Sequence, residues 1–135
     1  MNHVYWAMVV NTHERADPRL LGTPVLLEEG TAVVELTATE EMSVDDKSLV
    51  HGGFTFGLAD YAAMLAVNDP LVVLGSADVK FTAPVKVGES MVATGVVEAV
   101  EGRRRDVSVE VSVGEKVVLK GTMACYVLKR HVLDK

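Results

Sequence analysis

The run Leu49-Val50-His51-Gly52-Gly53-Phe54-Thr55-Phe56-Gly57-Leu58-Ala59-Asp60-Tyr61-Ala62-Ala63-Met64 holds one carboxylate, Asp60, inside an apolar segment that opens with His-Gly-Gly. A charge taken out of water without a partner is costly, so a lone Asp among apolar neighbours is a candidate for chemistry. Apolar surroundings raise a carboxyl pKa, which suits a general base. At the other end of the segment, the first amides of a helix lack intrahelical acceptors and sit at the positive end of its dipole, where they can hold a developing oxyanion. Gly52 and Gly53 would let a ligand approach that backbone with no Cβ in the way. The plainer alternatives are a turn into the helix for Gly52-Gly53 and a structural hydrogen bond for Asp60.

Residues 52–68 read as a helix, because apolar residues fill every face and Ala59, Ala62, Ala63 and Ala66 are good helix formers. Asn68-Asp69-Pro70 ends it. A helix apolar all round must be covered on most sides, and in a chain of 135 residues a sheet is the available wrapper. Strands are predicted over 31–39, 71–83, 90–100, 104–113 and 116–128, the last three joined by short turns as an antiparallel meander. Val25 to Leu27 and the Glu28-Glu29-Gly30 turn lead into the first of these strands. A short helix is expected over 11–21, with Asn11 as cap and Glu14 three residues on. Residues 43–48 read as an ordered approach to His51. The expected architecture is one α+β domain over 1–135, an antiparallel sheet curled around a central helix, a "hot dog" fold.

Composition narrows the function classes. Net charge is -6, and the only compact basic run is Arg103-Arg104-Arg105, so no nucleic-acid footprint is expected. Guanidinium forks match phosphate oxygens, so these three arginines are candidates for a small polyanion, with a solvated turn as the alternative. The single cysteine, Cys125, cannot form an intramolecular disulfide and reads as a small hydrophobe. Val4 to Val10 is too short to span a bilayer and lacks the marks of a secretory signal, which leads to the expectation of a soluble, cytoplasmic protein without a membrane partner. His3, His13 and His131 have no ligand spacing, so no metal site is predicted.

His51-Gly52-Gly53, Asp60 nine positions after the histidine, and the segment Gly75-Ser76-Ala77-Asp78-Val79-Lys80-Phe81-Thr82-Ala83-Pro84-Val85-Lys86-Val87-Gly88-Glu89 together resemble the hot-dog acyl-CoA thioesterases of the phenylacetate and 4-hydroxybenzoyl-CoA types. The resemblance covers roughly residues 30 to 128. It implies hydrolysis of an acyl-CoA at a site shared between subunits of a homodimer or dimer of dimers. No cofactor is implied, coenzyme A being part of the substrate. By the same resemblance the Gly52 amide polarises the thioester carbonyl, Asp60 is nucleophile or general base, and Ser76 helps place the attacking water. Gly53 is a second candidate for the oxyanion, and His51, at the helix mouth, is read as orienting the turn or contacting the thioester region. Phe54, Tyr61, Asp45, Asp46 and the three arginines are assigned to substrate binding. Several relatives carry an amide side chain where this chain has Asp45, beside Asp46.

Nine residues span about 13.5 Å of helix, and nine steps of roughly 100° leave His51 and Asp60 half a turn out of phase. If both ends act on one carbonyl, the amide of one subunit must meet the aspartate of its partner. Two rival functions remain: a non-catalytic acyl-CoA-binding or sensor module, which Asp45 favours, and a hot-dog dehydratase or hydratase of 3-hydroxyacyl or enoyl thioesters.

Overall fold

The apolar helix is present as α2 (Gly52–Val67), and every one of its residues from Leu58 to Ala66 except Asp60 is buried. The structure is a computed structural model and describes residues 5, 6 and 8–134. Strands β1 (Tyr5–Trp6), β2 (Thr23–Glu28), β3 (Thr31–Thr37), β4 (Val72–Phe81), β5 (Ser90–Glu101), β6 (Arg104–Val113) and β7 (Lys116–Val127) form one sheet in the order β1-β2-β3-β5-β6-β7-β4. The neighbours from β2 to β4 are all antiparallel, and β1 runs parallel to β2. The sheet wraps α2, which packs chiefly on β3, β5 and β6. This is the α+β hot-dog architecture expected from the sequence.

Small residues bring helix and sheet together. A Cβ on Gly95 of β5 would lie 2.8 Å from the carbonyl oxygen of Ala62 and 3.2 Å from the Ala63 amide nitrogen. Both are backbone atoms of α2, so no side-chain rotation can relieve the clash. Gly95→Ala is therefore expected to push the helix off the sheet and destabilise the fold by about 1–3 kcal/mol. Chemical denaturation of the variant against the parent measures this directly.

The strand ends differ from expectation by a few residues, and the meander β5–β6–β7 is as read. Strand β4 does not join the meander next to β5. The chain crosses beneath the sheet through α2 and emerges at the far side, so β4 pairs with β7 and forms one edge. The short β1 was not foreseen.

The expected helix over 11–21 is reduced to α1 (Pro18–Leu21). Asp17 caps it, accepting from the Arg19 amide, and Pro18 takes the first helical position, where its missing N–H costs nothing. Upstream, His13 has a left-handed φ of 53°, which breaks any helix, and the Asn11 amide donates to the Asn68 side chain instead of to a helix. The cap pattern of Asn11 and Glu14 was local and lost to this long-range contact.

Candidate functional site

At the N-terminus of α2, His51 is the cap and its Nδ1 accepts a hydrogen bond from the Gly53 amide at 2.7 Å. With Nδ1 accepting, the neutral ring carries its proton on Nε2. A Cβ on Gly53 would lie 2.8 Å from that same Nδ1, so glycine is what lets the histidine ring fold back over its own helix. The Gly53 amide is thus engaged within the turn rather than free for a ligand in this structure. The Phe54 amide bonds the His51 carbonyl. The Gly52 amide has no acceptor among the described residues and remains the available donor. The Phe81 ring packs over Gly52, 3.2 Å from where a Cβ would stand.

His51→Ala, which deletes the cap, is expected to lower stability by about 1 kcal/mol, while His51→Asn retains an acceptor and most of that stability. Urea titrations of the two variants make the comparison. Phe54 meets the imidazole edge-on, with ring centroids 6.4 Å apart.

Asp60, two and a half turns beyond His51 on α2, is half-buried and accepts no side-chain hydrogen bond among the described residues. Burial holds its carboxyl above the usual carboxylate range. It lines a cavity of about 380 Å³ together with Thr12, His13, Met64, the start of β4 through Leu74, and His131. Neighbouring Tyr61 is buried, and burial raises its phenol pKa as well. Cys125 is fully buried, and its thiol is pushed up to about 12 by burial and then by the carboxylates of Asp60 and Asp106, which leaves it without nucleophilic character.

Other expected site residues fall elsewhere. Ser76 does not line the Asp60 cavity. Gly75 is an extra residue in β4: Leu74 faces Cys125 and Ser76 faces Ala124, two successive residues of β7 that point to opposite sides of the sheet. Ser76 therefore lies on the opposite face from Leu74, in a separate cavity of about 440 Å³ with Asp78, Arg104 and Asp106. A Gly within a strand was the available signal for such a bulge.

Asp45 spends one carboxylate oxygen on its own loop, accepting from the amides of Lys47 and Leu49 at 2.9 and 3.1 Å. It organises the turn that returns Val50 to the Val85 carbonyl and so delivers His51. Asp46 is exposed on the same turn. The three arginines do not form a shared phosphate cradle. Arg104 is paired with Asp106 at 2.8 Å, and Arg105 donates to the carbonyls of Gly102 and Arg104, leaving only Arg103 unengaged.

The histidines set aside for lack of spacing include two, His13 and His131, that reach the Asp60 cavity from opposite ends of the chain. Their proximity is a product of the fold and leaves no local pattern. Among the described residues no group of three or more His, Cys, Asp or Glu could hold a metal ion, and no helix is long and apolar enough to cross a membrane.

Comparison with known proteins places this geometry. A sequence of Aquifex aeolicus named methylthioribose-1-phosphate isomerase is 48% identical over 114 residues, covering 84% of this chain and 25% of that protein. The transcription factor FapR of Bacillus velezensis is 34% identical over 100 residues, covering 73% of this chain and 53% of FapR. The chain thus spans a quarter of the first relative's length and about half of the second's. The crystal structure of the uncharacterized protein PH1136 from Pyrococcus horikoshii superposes with a TM-score of 0.93 at 55% identity, covering 94% of this chain and 98% of that one. Residues 48–120, from the approach to His51 through the start of β7, match the family model of the thioesterase superfamily. The chain belongs to the thioesterase superfamily and has its hot-dog fold.

Proposed function

We propose that the protein hydrolyses an acyl-CoA thioester, using Gly52 of one subunit and Asp60 of its partner. The observation that carries this reading is Asp60 itself, a half-buried carboxylate without a hydrogen-bond partner among the described residues, facing a cavity large enough for an acyl group. The free Gly52 amide supplies the complementary need, a donor for the carbonyl oxygen as it becomes an oxyanion. In this reading Asp60 removes a proton from water as the water oxygen adds to the thioester carbon, and collapse of the tetrahedral centre expels the thiolate and leaves the free acid. If Asp60 adds directly instead, expulsion of the thiolate leaves an anhydride with Asp60, which water then hydrolyses to the acid and the restored carboxylate. His51 holds the turn that presents Gly52.

Homodimer formation is supported by β4. It is hydrogen-bonded to β7 on one side only, its residues Gly75 to Asp78 are exposed, and Phe81 near its end is 55% exposed. An open ten-residue edge is a template for pairing with another strand, and a second copy supplies one.

Likeness to a transcription factor over about half of that protein favours a second reading, an acyl-thioester-binding module that holds its ligand without cleaving it. A panel of acyl-CoA esters, followed for free thiol and in parallel for binding, separates the two. Thiol release is the expected result. Binding without release would move the assignment to the sensor, and conversion to an enoyl thioester would move it to a dehydratase.

A further inference from the structure

We propose that His13 is a specificity-determining residue of the Asp60 cavity, where it takes an uncharged hydrogen-bonding atom of the bound acyl group; this rests on the thioester reading above. Asn68 makes the placement of His13 specific. Asn68 is buried, ends α2 in the left-handed conformation, and grips residues 9–11 with its side chain, Nδ2 donating to the Val9 carbonyl at 2.9 Å and Oδ1 accepting from the Asn11 amide at 2.8 Å. One residue therefore closes the helix that bears Asp60 and ties the N-terminal strap to it.

The strap ends in a prepared pair. Thr12 is buried, and its Oγ1 lies 2.8 Å from His13 Nδ1, engaging one ring nitrogen. Nε2 has no partner among the described residues. His13 holds a φ of 53°, a strained conformation for a residue with a Cβ, and such strain persists where surrounding contacts over-determine it. Its ring centroid stands 6.3 Å from that of Tyr61, the residue next to Asp60, and both His13 and Asp60 line the cavity.

Charge selects the kind of atom His13 can take. His13 is exposed as a residue, but desolvation by the atoms around its ring disfavours the charged form and lowers its pKa, which favours the neutral ring at pH 7. Among the described residues no Lys or Arg lines the cavity. An acyl group carrying a carboxylate would bring a second negative charge beside Asp60, with no Lys or Arg among the described lining residues to meet it. A hydroxyl can donate to or accept from Nε2 whichever tautomer Thr12 selects.

Matched esters test this: butyryl-CoA, 3-hydroxybutyryl-CoA and succinyl-CoA, measured by kcat/KM for thiol release and by calorimetric Kd. The parent protein is expected to favour the hydroxylated ester over butyryl-CoA by about tenfold and to take succinyl-CoA least well. His13→Gly, which relaxes the backbone, is expected to bring the ratio near one while leaving butyryl-CoA within about threefold of the parent. His13→Asn suits the same left-handed backbone and keeps a short polar group, so an intermediate ratio is expected; it decides the matter if the glycine variant fails to fold. An unchanged ratio in the folded variants, or an equal loss on both esters, overturns the role of His13. Binding with the predicted ratio but no thiol release would uphold His13 and overturn hydrolysis. Failure of all three esters to bind would overturn both.

Discussion

Asp60→Asn is expected to cut thiol release by roughly a hundredfold to ten-thousandfold, the range that a positioned general base supplies. Asparagine is nearly the same size and occupies the same cavity, so substrate binding should change far less than kcat. Stability should move in the opposite direction at neutral pH, and the sign follows from the raised pKa of Asp60. The folded protein holds that proton more tightly than the unfolded chain does. The favourable contribution is full below the ordinary carboxylate pKa and is lost as pH rises through the raised value. An asparagine side chain does not titrate and carries no such dependence. The variant should therefore melt above the parent at pH 7, with the gap closing as pH falls into the ordinary carboxylate range. Thermal melts of both proteins across that interval read it out. A kcat that declines on the acid side around the raised value, above the usual carboxylate range, is the matching kinetic signature.

Gly52→Pro is expected to be nearly as damaging to catalysis while sparing the helix. Proline removes the one amide that the turn leaves free, and it does so at the first helical position, where proline is well tolerated. His51 before it has φ -62° and ψ 131°, the extended conformation that a residue preceding proline prefers. The new ring must displace Phe81, whose exposed position at the end of β4 gives it room to move. Loss of one oxyanion donor typically lowers kcat by a factor of about 10²–10³. Helical circular dichroism should be retained, and Gly52→Ala, which keeps the N–H, should lose much less activity than Gly52→Pro.

The parts of this molecule legible in its sequence are those fixed by local pattern. The all-round apolar stretch of α2 requires a wrapper, and the valine-rich runs between Gly turns provide it. What escaped the sequence was set by contacts between distant segments or by small shifts of register. His13 enters the Asp60 cavity because Asn68 grips the strap before it, a contact that no spacing within residues 9–13 announces. Ser76 turned away from the cavity because of a single extra residue, Gly75. The three arginines do not converge because Arg104 and Asp106, two apart on one strand, share a face and pair with each other. Asp45 was legible in principle, since Asp commonly bonds backbone amides two residues on, and here it does so with Lys47. The left-handed C-cap at Asn68, an Asn before Asp-Pro, was legible as a helix stop but gave no hint of its second task.

The central claim is that Gly52 and Asp60 act on one thioester from different subunits, and subunit mixing tests it most directly. Asp60→Asn and Gly52→Pro proteins, each nearly inactive alone, are unfolded together and refolded as a mixture. In a mixed dimer one site combines the intact Gly52 amide of one chain with the intact Asp60 of the other. Random pairing makes half the dimers mixed with half their sites whole, so thiol release should recover to about a quarter of the parent rate. Recovery at that level is the predicted result. A mixed population, confirmed by native mass spectrometry, that remains as inactive as its parents would contradict a shared site.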